Sequence, residues 1–173
     1  LKKNKIPAIF YLTTSFVDEN KMSWIDQIDH AVESTKKEHI EFNGSSFRIS
    51  DYNKKIQFLD FFRDNAKNNK EFFLRKDQHI VEIFNQLNVS YCETSNSSID
   101  KKMNWDQVRE IMYDPLFTIG GHTHTHPIMS YLTDSALEKE IDICLEKLNL
   151  IANEPIIHFS YPEGLDYCYN NKV

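Results

Sequence analysis

The chain has 173 residues, of which 40% are hydrophobic, 13% aromatic and 27% charged, the composition of one ordinary folded domain able to bury about 70% of its unfolded surface. No apolar run approaches the roughly 20 residues of a helical membrane span, and a net charge of −6, with lysines interleaved among acids, offers no basic face to a nucleic acid. The three cysteines, Cys92, Cys144 and Cys168, lie far apart and outside any Cys-x-x-Cys spacing, which argues against a disulfide framework or a thiolate metal site.

Leu1 to Lys5, followed by Ile6-Pro7, reads as the last turn of a helix stopped by a proline, so the chain is expected to begin inside a larger fold. Ala8-Ile9-Phe10-Tyr11-Leu12 is a short continuous apolar run, which suits a strand buried on both faces. Ser23 opens a helix with Ile25, Ile28 and Val32 on one face, Asn43-Gly44 marks a turn, and Asp51 opens a second helix with Ile56, Leu59, Phe62 and Ala66 in register. A third helix runs through Ile80, Ile83, Phe84 and Leu87, followed by a polar loop from Glu93 to Ser98. Asn104 and Gln107 have capping-box spacing ahead of Val108, Ile111 and Met112, so a fourth helix starts there.

Asp114-Pro115 breaks that helix, and Leu116-Phe117-Thr118-Ile119 is a second strand, ended at once by Gly120-Gly121. Thr133 or Asp134 caps the longest helix, with Leu137, Ile141, Leu145, Leu148 and Ala152 on one stripe, and Ile156 to Phe159 is a third strand candidate. Strand, helices, strand, helix, strand is the order of βαβ units, hence an α/β fold with a parallel sheet and a helical insertion between its first two visible strands.

In such folds ligands gather after the strand C-termini. Three segments qualify: Thr13-Thr14-Ser15, Gly120 through Pro127, and Ser160 through Gly164. The middle one holds His122, His124 and His126, three of the seven histidines. Imidazole is a common zinc ligand. An extended segment would put all three rings on one side, whereas a helical turn would join His122 and His126 and send His124 away. The plain alternative is a set of solvated or capping loop histidines. His30, His39, His79 and His158 are scattered and read as surface or packing residues, and Glu138, Glu140 and Asp142 as the solvated face of the long helix. No phosphate-binding, dinucleotide-binding or Gly-x-Ser-x-Gly motif occurs.

With these motifs the chain resembles the polysaccharide deacetylase (NodB-homology) family, the family-four carbohydrate esterases. Residues 6–12 resemble the family's second strand, residues 103–109 the helix before its second motif, residues 119–127 the His-(Ser/Thr)-x-x-His motif itself, and Phe159-Ser160-Tyr161-Pro162-Glu163-Gly164 its third motif. The resemblance implies a partial, deformed (β/α) barrel spanning residues 1–173 as a single domain with residues 23–103 inserted. It implies a divalent metal, zinc first, held by His122 and His126 with an aspartate, and Tyr161 and Pro162 lining the groove. It further implies hydrolysis of N-acetyl, or O-acetyl, groups on a sugar or polysaccharide.

The family's first motif, an Asp-Asp pair supplying the catalytic base and third ligand, would lie upstream of Leu1, and its last two motifs beyond Val173. No catalytic residue is therefore assigned within this chain, which is expected to be a fragment of the catalytic domain, inactive alone. Ser160 stands where many members carry arginine and Glu163 where they carry an aromatic residue, which leaves a non-catalytic glycan- or metal-binding module as the alternative.

Overall fold

Apolar residues between two proline-marked breaks set the central strands, and capped amphipathic segments set the helices around them. The structure, a computed structural model, describes residues 1–94, 97–98 and 100–171. In chain order the elements are β1 (Ala8–Leu12), α1 (Thr14–Glu19), α2 (Trp24–Ser34), β2 (His39–Phe42), β3 (Ser45–Arg48), α3 (Tyr52–Asn68), α4 (Lys70–Leu74), α5 (Lys76–Leu87), α6 (Trp105–Met112), β4 (Phe117–Gly121) and α7 (Asp134–Asn149). Lys2–Asn4 forms a 3₁₀ turn where the sequence suggested the end of an α-helix. The chain divides into two compact units, Leu1–Lys21 with Lys102–Val173, and Met22–Lys101. Among the described residues no helix is long and apolar enough to cross a membrane.

In the first unit β1 and β4 pair in parallel, with Ala8 opposite Phe117 and Leu12 opposite Gly121. The core gathers Leu12, Val17, Val108, Ile119, Cys144 and Leu148, so α6 contributes Val108, with Trp105, Ile111 and Met112 half-buried beside it, and α7 contributes Cys144 and Leu148. Burying a Leu, Ile or Val side chain is worth about 1.5–3 kcal/mol, which makes this cluster the main support of the strand pair. The capping box read at Asn104 and Gln107 is present, each side chain bonding the other's backbone N–H at 3.0 Å. Thr133 caps α7, its hydroxyl accepting from the Ala136 N–H at 3.3 Å. Asp18 ties α1 to both helices, accepting from Trp105 Nε1 at 2.9 Å and facing Lys147 Nζ at 3.0 Å.

Three expectations for the strands need correction. β1 is covered on one face only, since alternate residues point to opposite faces and Ile9 and Tyr11 are 43% and 40% exposed. Gly120-Gly121 does not end the second strand; β4 runs through both residues. The glycines are there for close approach: a Cβ on Gly120 would lie 2.6 Å from Tyr11 Cδ1 and 2.9 Å from the His158 carbonyl oxygen, and one on Gly121 would lie 2.9 Å from Phe159 Cδ2. Residues 156–159 do not form a third strand. They meet β4 through a single parallel bridge, Gly121 with Phe159, built from Gly121 N–H to His158 O at 2.9 Å and Ser160 N–H to Gly121 O at 3.0 Å. Upstream the segment turns aside, because the Ile156 N–H is taken by Asn149 Oδ1 at 2.9 Å rather than by a strand partner. Ile157 is accordingly 82% exposed.

The second unit is built on phenylalanines. Phe42, Phe58, Phe62, Phe72 and Phe84 are buried, and Phe62 meets Phe72 and Phe42 at ring separations of 5.1 and 5.5 Å. Ser23 and Asp51 cap α2 and α3 as read. The α3 stripe is shifted: Phe58 is fully buried while Ile56 is 37% exposed. Asn43-Gly44 closes a two-residue hairpin between β2 and β3, both residues at positive φ (50° and 74°), as the mirror-image hairpin turns require. Of the loop read over Glu93–Ser98, Ser95 and Asn96 lie outside the described residues.

Candidate functional site

Because β1 and β4 run in parallel, Leu12 and Gly121 end at the same edge, and the segments that follow them are woven together. The His122 N–H bonds the Leu12 carbonyl at 3.0 Å. Thr13, the residue before α1, donates its hydroxyl to the His122 carbonyl at 3.0 Å. The first amides of a helix have no partner within it. In α1 the loop supplies them: Thr14 N–H bonds Thr123 O at 3.3 Å and Ser15 N–H bonds His124 O at 2.9 Å.

The histidine loop is neither of the two shapes considered from spacing. Thr123 and His126 both sit in the left-handed region, at φ 64° and 61°, a conformation that costs a non-glycine residue about 1–3 kcal/mol unless its surroundings fix it. Here they are fixed. Thr123 is fully buried, its hydroxyl donating to the His122 carbonyl at 2.6 Å and accepting from the His126 N–H at 3.0 Å. The outcome matches the curled geometry in one respect. His122 and His126 meet edge to face with ring centroids 4.8 Å apart, and His124 turns away to place Nδ1 2.9 Å from Thr14 Oγ1.

His122 Nδ1 lies 2.7 Å from the Ser160 carbonyl oxygen. A carbonyl only accepts, so Nδ1 carries a proton, and in the neutral ring the lone pair is on Nε2. His126 stacks on Phe16 with centroids 6.2 Å apart and ring planes 22° apart. Both histidines border a cavity of about 280 Å³, whose wall also includes Tyr11, Thr13, Phe16, Lys102 and Met103. A zinc–nitrogen bond is about 2.0–2.1 Å, and two rings this close can share an ion when one nitrogen of each is turned to the same point. These two imidazoles fit as part of a zinc donor set, and His122 has on its far nitrogen the carbonyl partner that metal-binding histidines usually have. Among the described residues no group of three or more His, Cys, Asp or Glu side chains is placed to hold a metal.

The third motif is split. Ser160 reaches His122 through its carbonyl, while Tyr161 faces a separate apolar cavity of about 290 Å³ with Met129, Leu145 and Phe159. Tyr161 is 38% exposed and stacks on Tyr169 at 5.3 Å, and Pro162 is buried. Glu163 and Gly164 form the turn after them, both at φ 66°. Beneath the loop the Cys144 thiol is held above its ordinary pKa, chiefly by burial, and faces the Leu12 carbonyl at 3.8 Å.

Glu140 departs from the sequence expectation of a merely solvated position. Its carboxylate accepts the His124 and Thr125 N–H groups at 2.9 and 2.7 Å and the Thr125 hydroxyl at 2.7 Å. Nothing in the sequence pointed to it, since the pairing spans 15 and 16 residues and glutamates on an amphipathic helix are ordinarily solvated.

A family model described as polysaccharide deacetylase matches residues 74–173, more than half of the chain. No curated protein and no solved structure matches it. The match covers both outer histidines, the loop that joins them and the Ser160 segment that orients one of them, and the chain belongs to the polysaccharide deacetylase family.

Proposed function

We propose that the chain is part of a metal-dependent deacetylase acting on an acetylated sugar or polysaccharide, with His122 and His126 as two ligands of a divalent ion, zinc first. The observation that carries this reading is the adjacency of the two rings at 4.8 Å, with His122 Nδ1 occupied by the Ser160 carbonyl so that Nε2 is the nitrogen offered to an ion. The family match supports the carbohydrate substrate and the hydrolytic reaction.

The ion, when bound, supplies a water of lowered pKa and polarises the acetyl carbonyl. The chain's own residues do the rest of what it contributes. Thr123 and Thr13 hold the backbone oxygen of His122, which fixes the direction from which the imidazole approaches. Phe16 limits the swing of His126. Tyr161, with Pro162 behind it, offers an aromatic face of the kind that packs on a sugar ring. The parallel pair β1–β4 is part of a deformed (β/α) barrel, with residues 1–173 forming one deacetylase-like domain into which residues 23–103 are inserted.

The test is zinc uptake by the chain, measured by competition with a chromophoric chelator, alongside acetate release from N-acetylglucosamine oligomers by a protein that also carries the family's acidic first motif. Uptake lost in His122→Ala and His126→Ala, with acetate release lost in step, is expected. Absence of uptake in the unaltered chain would sink the metal assignment. Ser160 and Glu163, which replace the arginine and aromatic residue of many family members, favour a second reading as a binding module. Uptake without acetate release would select it.

A further inference from the structure

The histidine loop is held at both ends by its own strand and by α1, but its middle depends on a helix that follows it. His124 and Thr125 present two consecutive backbone N–H groups, and the Thr125 hydroxyl adds a third donor. All three converge on one carboxylate, Glu140 of α7, with Oε2 taking both amides and Oε1 the hydroxyl. Charge-assisted bonds of this kind are about twice as strong as neutral ones. They fall between the two left-handed residues, Thr123 and His126, where the backbone must be held in a conformation it would otherwise leave.

Glu140 is itself placed by the core. Leu137, Cys144 and Leu148 bury the adjoining stripe of α7, the first two one turn to either side of Glu140, and Thr133 caps the helix, so the carboxylate projects from a rigid element. We infer that Glu140 is a positioning residue for the metal centre: by clamping His124 and Thr125 it fixes the turn that sets the ring of His126 beside that of His122. It acts through the backbone between the two rings, at the His124 and Thr125 amides. The inference rests on the reading of His122 and His126 as ligands.

Three variants of the chain, Glu140→Ala, Glu140→Gln and Glu138→Ala, are compared with the unaltered protein. The readouts are zinc affinity and amide hydrogen exchange at His124 and Thr125. Outer-shell partners of metal ligands typically contribute about 10- to 100-fold in affinity, and a loss in that range is expected for Glu140→Ala. Glu140→Gln keeps an acceptor for the amides and recovers part of the loss. Glu138→Ala removes the same charge from an exposed position of the same helix and leaves affinity unchanged. Exchange at His124 and Thr125 speeds up in Glu140→Ala and not in Glu138→Ala.

Zinc affinity in Glu140→Ala equal to that of the unaltered chain would overturn the inference, as would equal losses in Glu138→Ala. Where Glu140→Ala fails to fold, Glu140→Gln is read with Thr125→Val, which removes one of the three bonds; unchanged affinity in both overturns it equally. A chain that binds no zinc at all refutes the ligand assignment. The exchange data then judge the clamp separately: protection lost in Glu140→Ala retains it as a loop anchor, and protection kept rejects it.

Discussion

The Nδ1 atom of His122 is 2.7 Å from the carbonyl oxygen of Ser160, a bond that joins the second and third motifs and leaves the imidazole a single open nitrogen. At pH 8 the nitrogen-15 spectrum of His122 is expected to be that of the Nδ1–H tautomer, and added zinc should shift Nε2. An Nε2–H tautomer in the free protein would contradict the assigned bond.

The two outer histidines and the middle one should behave differently. His122→Ala and His126→Ala are expected to weaken zinc binding strongly, whereas His124→Ala, whose ring faces Thr14 Oγ1, should change it little. Titration against a competing chelator separates the cases. A loss in His124→Ala as large as in the outer pair would mean that all three rings converge on the ion in solution.

Gly120→Ala should destabilise the first unit by about 1–3 kcal/mol, the usual cost of forcing an extra carbon into packed surroundings. Tyr11 can swing away, being 40% exposed, but the His158 carbonyl oxygen, 2.9 Å from the added carbon, belongs to the bridge that holds the Ser160 segment. The denaturation midpoint in urea should fall with an unchanged slope. An unaltered midpoint would show that the His158 segment yields freely.

His79 gives the second unit a pH dependence. It packs on Phe72 with centroids 4.5 Å apart and edge-on to Phe42 at 5.4 Å. Burial first, and the charge of Arg75 second, hold its pKa below the ordinary 6.5, with Glu82 opposing. The folded protein therefore binds fewer protons at this site than the unfolded chain, so stability is full above 6.5 and is lost as pH falls from there toward the lowered folded value. With Trp105 replaced by phenylalanine, Trp24 beside Phe62 reports the transition. Melting should occur at lower temperature at pH 5.5 than at pH 7.5, and His79→Leu should flatten the difference. A pH-independent melt in the unaltered chain would refute this.

The features legible in the sequence were local ones. Ser23, Asp51 and Asn104 each cap a helix through contacts within three residues, and a short window shows them. The pairing of His122 with His126 was also within reach, because both residues lie in one loop after a strand. What escaped depends on distant partners. Ile156 to Phe159 has the composition of a strand, yet Asn149 takes the first amide, a competition invisible in an apolar pattern. Gly120 and Gly121 look like turn formers until Tyr11, His158 and Phe159 are seen crowding them. Glu140 looked like surface for the same reason, its partners being fixed only once α7 crosses behind the loop.

Cys144 lies on α7, fully covered against the end of β1, its sulfur 3.8 Å from the Leu12 carbonyl. A thiol reagent can reach it only when the helix parts from the strand, and its raised pKa makes accidental reaction rarer still. Cys92 is partly accessible and would be consumed early. The slow labelling of Cys144 that follows is thus a natural clock, timing how often the floor beneath the histidine turn gives way.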